Sequence, residues 1–146
     1  SVMFCLSKGL GAPVGSMLAG SEAFVEEARR VRKLMGGGMR QAGIIAAPGL
    51  DALANRDRLH VDHERATRLA AALDDLDGLS VAAPETNIVL VDTTGTGETA
   101  AALLERCERE GVRGSEFGEH MIRFCTHLDV DDADVEDAVA AVERAL

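Results

Sequence analysis

The chain contains only two lysines, and one of them lies on a glycine-rich turn. Lys8 belongs to the run at residues 7–13, SKGLGAP, and follows an apolar run at residues 2–6 that we predict to be a buried strand. A lysine in this position can be partly desolvated, which favours the neutral amine needed for Schiff-base chemistry. The nearby glycines let a planar ligand that carries a phosphate group approach the backbone closely. The alternative is a surface lysine on an ordinary turn.

Two arginines are candidate ligands for anions. Arg123 stands between Ile122 and Phe124 in an apolar run, where an unpaired charge is costly. Its planar guanidinium can hold a carboxylate through two parallel hydrogen bonds, although pairing with an internal Asp or Glu is the alternative. Arg40 follows the glycine triplet at residues 36–38 and opens a predicted helix, whose N-terminus attracts anions. For Arg40 the alternative is an exposed arginine at the start of a helix.

The charge balance excludes some classes of function. The net charge is −10, with 25 acidic and 15 basic residues, so the chain lacks the basic stripe of a nucleic-acid-binding protein. An acidic, lysine-poor composition is typical of the surface of salt-adapted proteins. The apolar runs are too short to span a bilayer. The odd number of cysteines and the lack of a leader sequence indicate a cytoplasmic setting. Neither the cysteines nor the histidines have the spacing of a metal site, so we expect no metal.

The apolar periodicity predicts two regions. In the first, short strands at residues 2–6 and 14–19 precede a helix capped by Ser21, and a second helix at residues 39–53 contains Pro48. A long helix at residues 57–76 contains the predicted domain change. It is followed by strands at 79–83, 87–91 and 121–126 and by helices at 98–110 and from 131 to the end. We therefore predict domains at residues 1–58 and 59–146, the second a small α/β or α+β domain.

Three segments of the chain resemble segments of one known family, in the same order. They are SKGLGAPVGS at residues 7–16, KLMGGGMRQAG at residues 33–43 and IRFCTHLDV at residues 122–130. These segments resemble the threonine aldolases, which are pyridoxal-phosphate enzymes of fold-type I. The resemblance implies an α/β fold like that of aspartate aminotransferase, with residues 1–58 as the end of the large cofactor domain. It also leads us to expect more chain upstream of Ser1, since a strand opens the sequence with no sheet before it.

The resemblance implies a role for four residues. Lys8 would be the catalytic residue that carries pyridoxal 5'-phosphate, and Arg40 would bind the phosphate of the cofactor, reaching across from a neighbouring subunit. Arg123 would bind the substrate carboxylate, and Lys33 would lie near the same subunit interface and contribute to substrate binding. In the family the catalytic base, the histidine that stacks on the cofactor ring and the acid that pairs with its nitrogen lie upstream of the cofactor lysine. None of those three is present in this chain.

The implied activity is cleavage of L-threonine or another β-hydroxy-α-amino acid into glycine and an aldehyde by the intact enzyme. The implied partners are a small amino-acid substrate and other copies of the chain, in a homodimer or homotetramer that shares its active sites. Two alternatives stay open. One is a different fold-type I activity, such as an aminotransferase or a β-eliminating lyase. The other is a non-catalytic fragment that serves only in oligomerisation, and we expect the 146-residue chain alone to be inactive.

Overall fold

A computed structural model describes all of residues 1–146 and divides the chain into two compact units, Ser1–Leu59 and His60–Leu146. The boundary lies at the start of a helix and differs by one residue from the predicted domain boundary. No helix has both the length and the apolar composition needed to cross a membrane.

The first unit consists of two strands followed by two helices. Strands β1 (Val2–Cys5) and β2 (Ser16–Ala19) pair antiparallel, with Val2 opposite Ala19 and Cys5 opposite Ser16. Both predicted strands are therefore present, and they lie side by side. Helix α1 (Glu22–Leu34) begins where the Ser21 side chain accepts a hydrogen bond from the Phe24 backbone, as the sequence predicts.

Helix α2 (Gly43–Ala54) is shorter than predicted, because it begins at residue 43 instead of 39. Gln41 has a positive φ of 53°, a left-handed conformation that a helix does not tolerate and that few residues other than glycine adopt. Pro48 lies inside α2. A short 3-10 turn (Arg56–Arg58) ends the unit, whose core consists of Leu6, Ala12 and Ala52, with Leu10 and Leu53 packed against them.

The second unit is a four-stranded antiparallel sheet with three helices, α3 (Leu59–Asp74), α4 (Ala100–Arg109) and α5 (Asp132–Ala145). The strands are β3 (Ser80–Val81), β4 (Ile88–Asp92), β5 (Ser115–Gly118) and β6 (Met121–Cys125), in the spatial order β3-β4-β6-β5. The predicted helices and three of the strands are present. Strand β5 was not predicted.

Side chains alternate between the two faces of this sheet, as strand geometry requires. One face buries Val89 and Val91 of β4 and Ile122 and Phe124 of β6 in a core that includes residues of all three helices, among them Leu73 and Leu103. The other face, which we call the open face, carries the alternate residues of β4 and β6, which are exposed or half-buried: Ile88, Leu90, Asp92, Met121, Arg123 and Cys125. Arg123 therefore lies on the side of the sheet that the helices do not cover.

Candidate active-site residues

Lys8 lies on the turn between β1 and β2, as the sequence predicts. The Gly11 backbone N–H donates to the Lys8 carbonyl over 2.7 Å, and the Ala12 N–H donates to the Leu6 carbonyl over 2.9 Å, so the turn is closed by its own backbone. Gly11 has a φ of 78°, which an L-residue adopts only with strain. Leu6 and Ala12 are buried on either side of the lysine and anchor the turn to the core of the first unit.

The Lys8 side chain itself is exposed, so the expected desolvation is not present. A strand of four residues in a two-stranded sheet leaves little apolar surface around the turn, which explains the difference. No acidic side chain pairs with Lys8. The amine is therefore held on an ordered turn and is open to a carbonyl compound.

Arg40 and Lys33 flank the glycine triplet at residues 36–38, and both are exposed. Helix α1 ends at Leu34, and Gly36 continues the chain with a φ of 78°. The Lys33 side chain lies over Gly38, where a Cβ atom would come within 3.2 Å of its Nζ. Arg40 precedes the left-handed Gln41 and stands before the N-terminus of α2 without an acidic partner. Both cations are therefore available to an anion.

Arg123 lies in β6 and is half-buried. Its neighbours across the sheet are Leu90 of β4 and Ser115 of β5, and neither can form an ion pair with it. No hydrogen bond or salt bridge is made by its guanidinium, and its Nε is buried without a partner. Within this chain, therefore, Arg123 pairs with no acidic side chain. A buried donor without a partner costs about 1–3 kcal/mol, which an anionic ligand would recover.

One carboxylate on the open face is engaged elsewhere. Asp92 shares the face with Arg123, but its Oδ1 accepts a hydrogen bond of 2.8 Å from the Thr94 backbone N–H. Hydrogen bonding from Thr94 holds the pKa of the Asp92 carboxyl below its usual range, and His120 nearby lowers this pKa further. The Asp92 carboxylate thus stays ionised and bound to the Thr94 backbone. It therefore does not compete with a ligand for Arg123.

The segment after β6 is held by buried hydrogen bonds. Thr126, which is almost fully buried, donates from its hydroxyl to the Asp62 carbonyl over 2.6 Å, and the Thr126 carbonyl accepts from the Asn87 amide over 2.7 Å. His127 accepts a hydrogen bond from the Asp129 backbone N–H at Nδ1. These contacts fix the end of the strand that carries Arg123.

One residue that matters here was missed in the sequence. The centroid of the Phe117 ring, on β5, lies 5.9 Å from the Arg123 Cζ. In the sequence, the only signal for strand β5 is a short run between two glycines, Gly114 and Gly118. Among the three cysteines, Cys125 is exposed and Cys5 is half-buried. Cys107 is the buried thiol, and desolvation raises its pKa, so it remains neutral.

The comparisons with known proteins agree with the three segments quoted above. Residues 1–96 match the model of a protein family described as beta-eliminating lyase. The chain belongs to the beta-eliminating lyase family. Over its whole length it is 41% identical to a protein of Arabidopsis thaliana named low-specificity L-threonine aldolase 1, of which it covers 42%. It is also 41% identical to the low specificity L-threonine aldolase of Escherichia coli (strain K12), with 96% of this chain and 41% of that one aligned.

Solved structures show the same fold at low sequence identity. A protein of Listeria monocytogenes provisionally assigned as an L-allo-threonine aldolase superposes with a TM-score of 0.76 at 19% identity, over 99% of this chain and 44% of that one. The α-aminoadipate aminotransferase LysN of Thermus thermophilus superposes with a TM-score of 0.66 at 18% identity, over 99% of this chain and 41% of that one. The predicted fold-type I class is thereby confirmed. The chain spans about two fifths of the length of the curated relatives it matches.

Pyridoxal phosphate is the cofactor that this family implies. The residues present fit it: a phosphorylated aldehyde needs an accessible amine and a cation for its phosphate, and Lys8 and Arg40 are both exposed without acidic partners.

Proposed function

We propose that this chain is part of an enzyme that cleaves L-threonine and related β-hydroxy-α-amino acids into glycine and an aldehyde. The observation that carries the proposal is the 41% identity to low-specificity L-threonine aldolases of a plant and a bacterium across almost the whole chain. The proposal concerns the whole protein, because this chain corresponds to about two fifths of those relatives.

In this proposal each candidate residue has a defined task. Lys8 supplies the amine that attaches the cofactor, and the closed turn from Leu6 to Ala12 keeps this amine oriented. Arg40 neutralises the cofactor phosphate from a neighbouring copy of the chain, with Lys33 close to the same boundary and contributing to substrate binding. When bound, pyridoxal phosphate supplies an electron-withdrawing ring that takes up the electron pair of the broken Cα–Cβ bond.

Arg123 binds the carboxylate of the amino acid. Its guanidinium has no protein partner and stands opposite Leu90 and Ser115, so its donors are available for a forked contact with two oxygens. Binding of the carboxylate by Arg123 fixes one end of the substrate. A fixed substrate reacts from a defined orientation, which lowers the entropic part of the barrier.

The test of the reaction is product analysis with the full-length protein. L-threonine and pyridoxal phosphate should yield glycine and acetaldehyde in equal amounts. Accumulation of a keto acid would instead assign an aminotransferase or an eliminating lyase, and no product from any β-hydroxy amino acid would favour the non-catalytic alternative.

The test of Lys8 is chemical trapping. Reduction of the cofactor-loaded protein with borohydride should place the cofactor on the peptide that contains Lys8, and Lys8→Ala should abolish this adduct. Lys33→Ala is the matched control, since it removes the other lysine of the chain and should leave the adduct in place. An adduct on Lys33 in the parent protein would show that the assignment of Lys8 is wrong.

The test of Arg40 is subunit mixing. An Arg40→Ala subunit and a Lys8→Ala subunit, each inactive alone, should recover part of the activity together, because one hybrid site would contain both residues. If activity did not recover in verified mixed oligomers, Arg40 would belong to the site of its own subunit.

The proposal also includes assembly into a homo-oligomer. It further includes a reducing, cytoplasmic setting, which the three unpaired cysteines support.

A further inference from the structure

Phe117 contacts Arg123 at an irregular point of the sheet. In β5, Ser115 is opposite Arg123 and Glu116 is opposite Ile122, but the next residue opposite Met121 is Gly118, not Phe117. Phe117 is therefore the extra residue of a bulge, a feature that turns a side chain away from its regular direction. Its ring lies 5.9 Å from the Arg123 Cζ, within the range of a cation–π contact.

This contact differs from those of the other half-buried arginines. Arg58 donates to the Gly9 carbonyl, Arg65 donates to Asp132, and Arg106 donates to Glu98 and to the Ala145 carbonyl. In each case hydrogen bonds to the protein hold the guanidinium. Arg123 makes none, and Phe117 is the aromatic group against it.

The two ways of holding a guanidinium have different consequences for binding. A hydrogen bond uses a donor that a ligand would need, and an ion pair also neutralises the charge. An aromatic ring attracts the cation through its π-face and restricts the guanidinium without using any N–H. An arginine held in this way keeps both its charge and its in-plane donors for an incoming carboxylate.

We propose that Phe117 is a positioning residue for Arg123, which it orients for the carboxylate of an amino-acid ligand. This inference rests on the proposed function, and specifically on the role of Arg123. It accounts for the bulge in β5 and for a large apolar side chain that is exposed on an edge strand. Phe117 acts through Arg123 and takes no part in the chemical step.

The test uses the full-length enzyme loaded with pyridoxal phosphate, with glycine and glycinamide as ligands. Both have the same amine, but only glycine has a carboxylate. Binding is followed by the change in the visible absorption of the cofactor. Phe117→Leu, which removes the π-face, should weaken glycine binding about two- to fivefold, the scale of a cation–π contact at a partly exposed site. Glycinamide binding, cofactor affinity and kcat for threonine should stay within twofold of the parent.

Two further variants complete the experiment. Phe117→Tyr keeps the aromatic face and should bind glycine like the parent, whereas Phe117→Met should behave like Phe117→Leu and provides a second flexible apolar replacement. Arg123→Lys should weaken glycine binding more than either. The KM for threonine should rise in the same order as the loss of glycine affinity.

Three outcomes would overturn the inference. Equal losses for glycine and glycinamide would show that Phe117 has only a packing role. Unchanged glycine binding in both apolar variants, with a loss in Arg123→Lys, would reject the role of Phe117 and leave the proposed function intact. Unchanged glycine binding in Arg123→Lys would reject the carboxylate role of Arg123, and the role of Phe117 with it. Threonine cleavage, measured separately, decides the proposed reaction.

Discussion

The two units of the chain differ in how many side chains they bury. In Ser1–Leu59 the core has three buried apolar residues, Leu6, Ala12 and Ala52, whereas helix α1 has no buried residue and β2 is exposed throughout. In His60–Leu146 a continuous core of fifteen buried residues joins one face of the sheet to three helices. Buried apolar area is the main favourable term in folding, so the second unit has far more to stabilise it.

The candidate site residues of the two units are also held differently. Lys8 and Arg40 stand on turns that depend on backbone hydrogen bonds and left-handed residues. Arg123 stands inside a strand whose other face is packed in the core. The comparison suggests that Arg123 keeps its place in an isolated second unit, while the turn of Lys8 depends on the stability of a weakly packed unit.

The largest effect is expected from separating the units. Residues 60–146 expressed alone should unfold cooperatively, because their core is complete, and residues 1–59 alone should not, because three small or medium-sized buried side chains cannot offset the conformational entropy of the chain. Circular dichroism with urea titration of each piece gives the measurement. Cooperative unfolding of residues 1–59 would contradict the comparison.

A single core substitution should have the next largest effect. Leu73 is fully buried, so Leu73→Ala should lower the free energy of unfolding of residues 60–146 by about 2–5 kcal/mol. Leu128→Ala is the matched control, because the same atoms are removed from a residue that is 58% exposed, and it should change stability by no more than about 0.5 kcal/mol. If the two variants lost equal stability, the burial described for Leu73 would not determine its contribution.

Two glycine substitutions, one in each unit, should change the free energy of unfolding differently. A Cβ on Gly95 would lie 2.8 Å from the Gly78 carbonyl oxygen, a backbone atom that cannot easily move, so Gly95→Ala should destabilise the protein by about 1–3 kcal/mol. A Cβ on Gly43, at the start of α2, would meet nothing within 4 Å. Gly43→Ala should therefore be neutral or stabilise by up to about 1 kcal/mol. Denaturant midpoints of both full-length variants provide the comparison, and a stabilising Gly95→Ala would contradict the close approach.

The smallest effect concerns the pH dependence of the second unit. Arg65 and Arg68 contact Asp132, and the hydrogen bond from Arg65 is the main reason that the pKa of the Asp132 carboxyl lies below its usual range. Because the folded-state pKa is lowered, this carboxyl contributes stability above its unfolded pKa of about 4, and the contribution disappears as the pH falls through the lower folded pKa. The Asp132 side chain is mostly exposed, so the contribution is small and salt weakens it.

The matched variant is Asp132→Asn, which keeps the shape of the side chain. The stability advantage of the parent over this variant should be present at pH 6 and should shrink below about pH 4. Unfolding curves of both proteins over this pH range, at low and high salt, provide the measurement. An advantage that grows as the pH falls would show that the sign of the shift is wrong.

Much of the fold could be predicted because its signals are local. Ser21 and Asp131 are N-caps where the sequence predicts helix starts, and Gly78, with a positive φ of 86°, lies four residues beyond the end of α3. Strand β5 was missed because its four residues contain one large apolar side chain and no alternation of apolar and polar positions. Its pairing with β6 is a long-range contact, which periodicity does not reveal.

Residue types in short segments were enough to identify the family, the fold class and the candidate residues Lys8, Arg40 and Arg123. The three-dimensional structure was needed to show that Arg123 has no acidic partner in this chain and lies against Phe117. It also decided that Lys8 is exposed and that Cys125 is not buried. The reason is physical: residue type sets what a side chain can bind, whereas its exposure and partners depend on strand register and packing between distant parts of the chain.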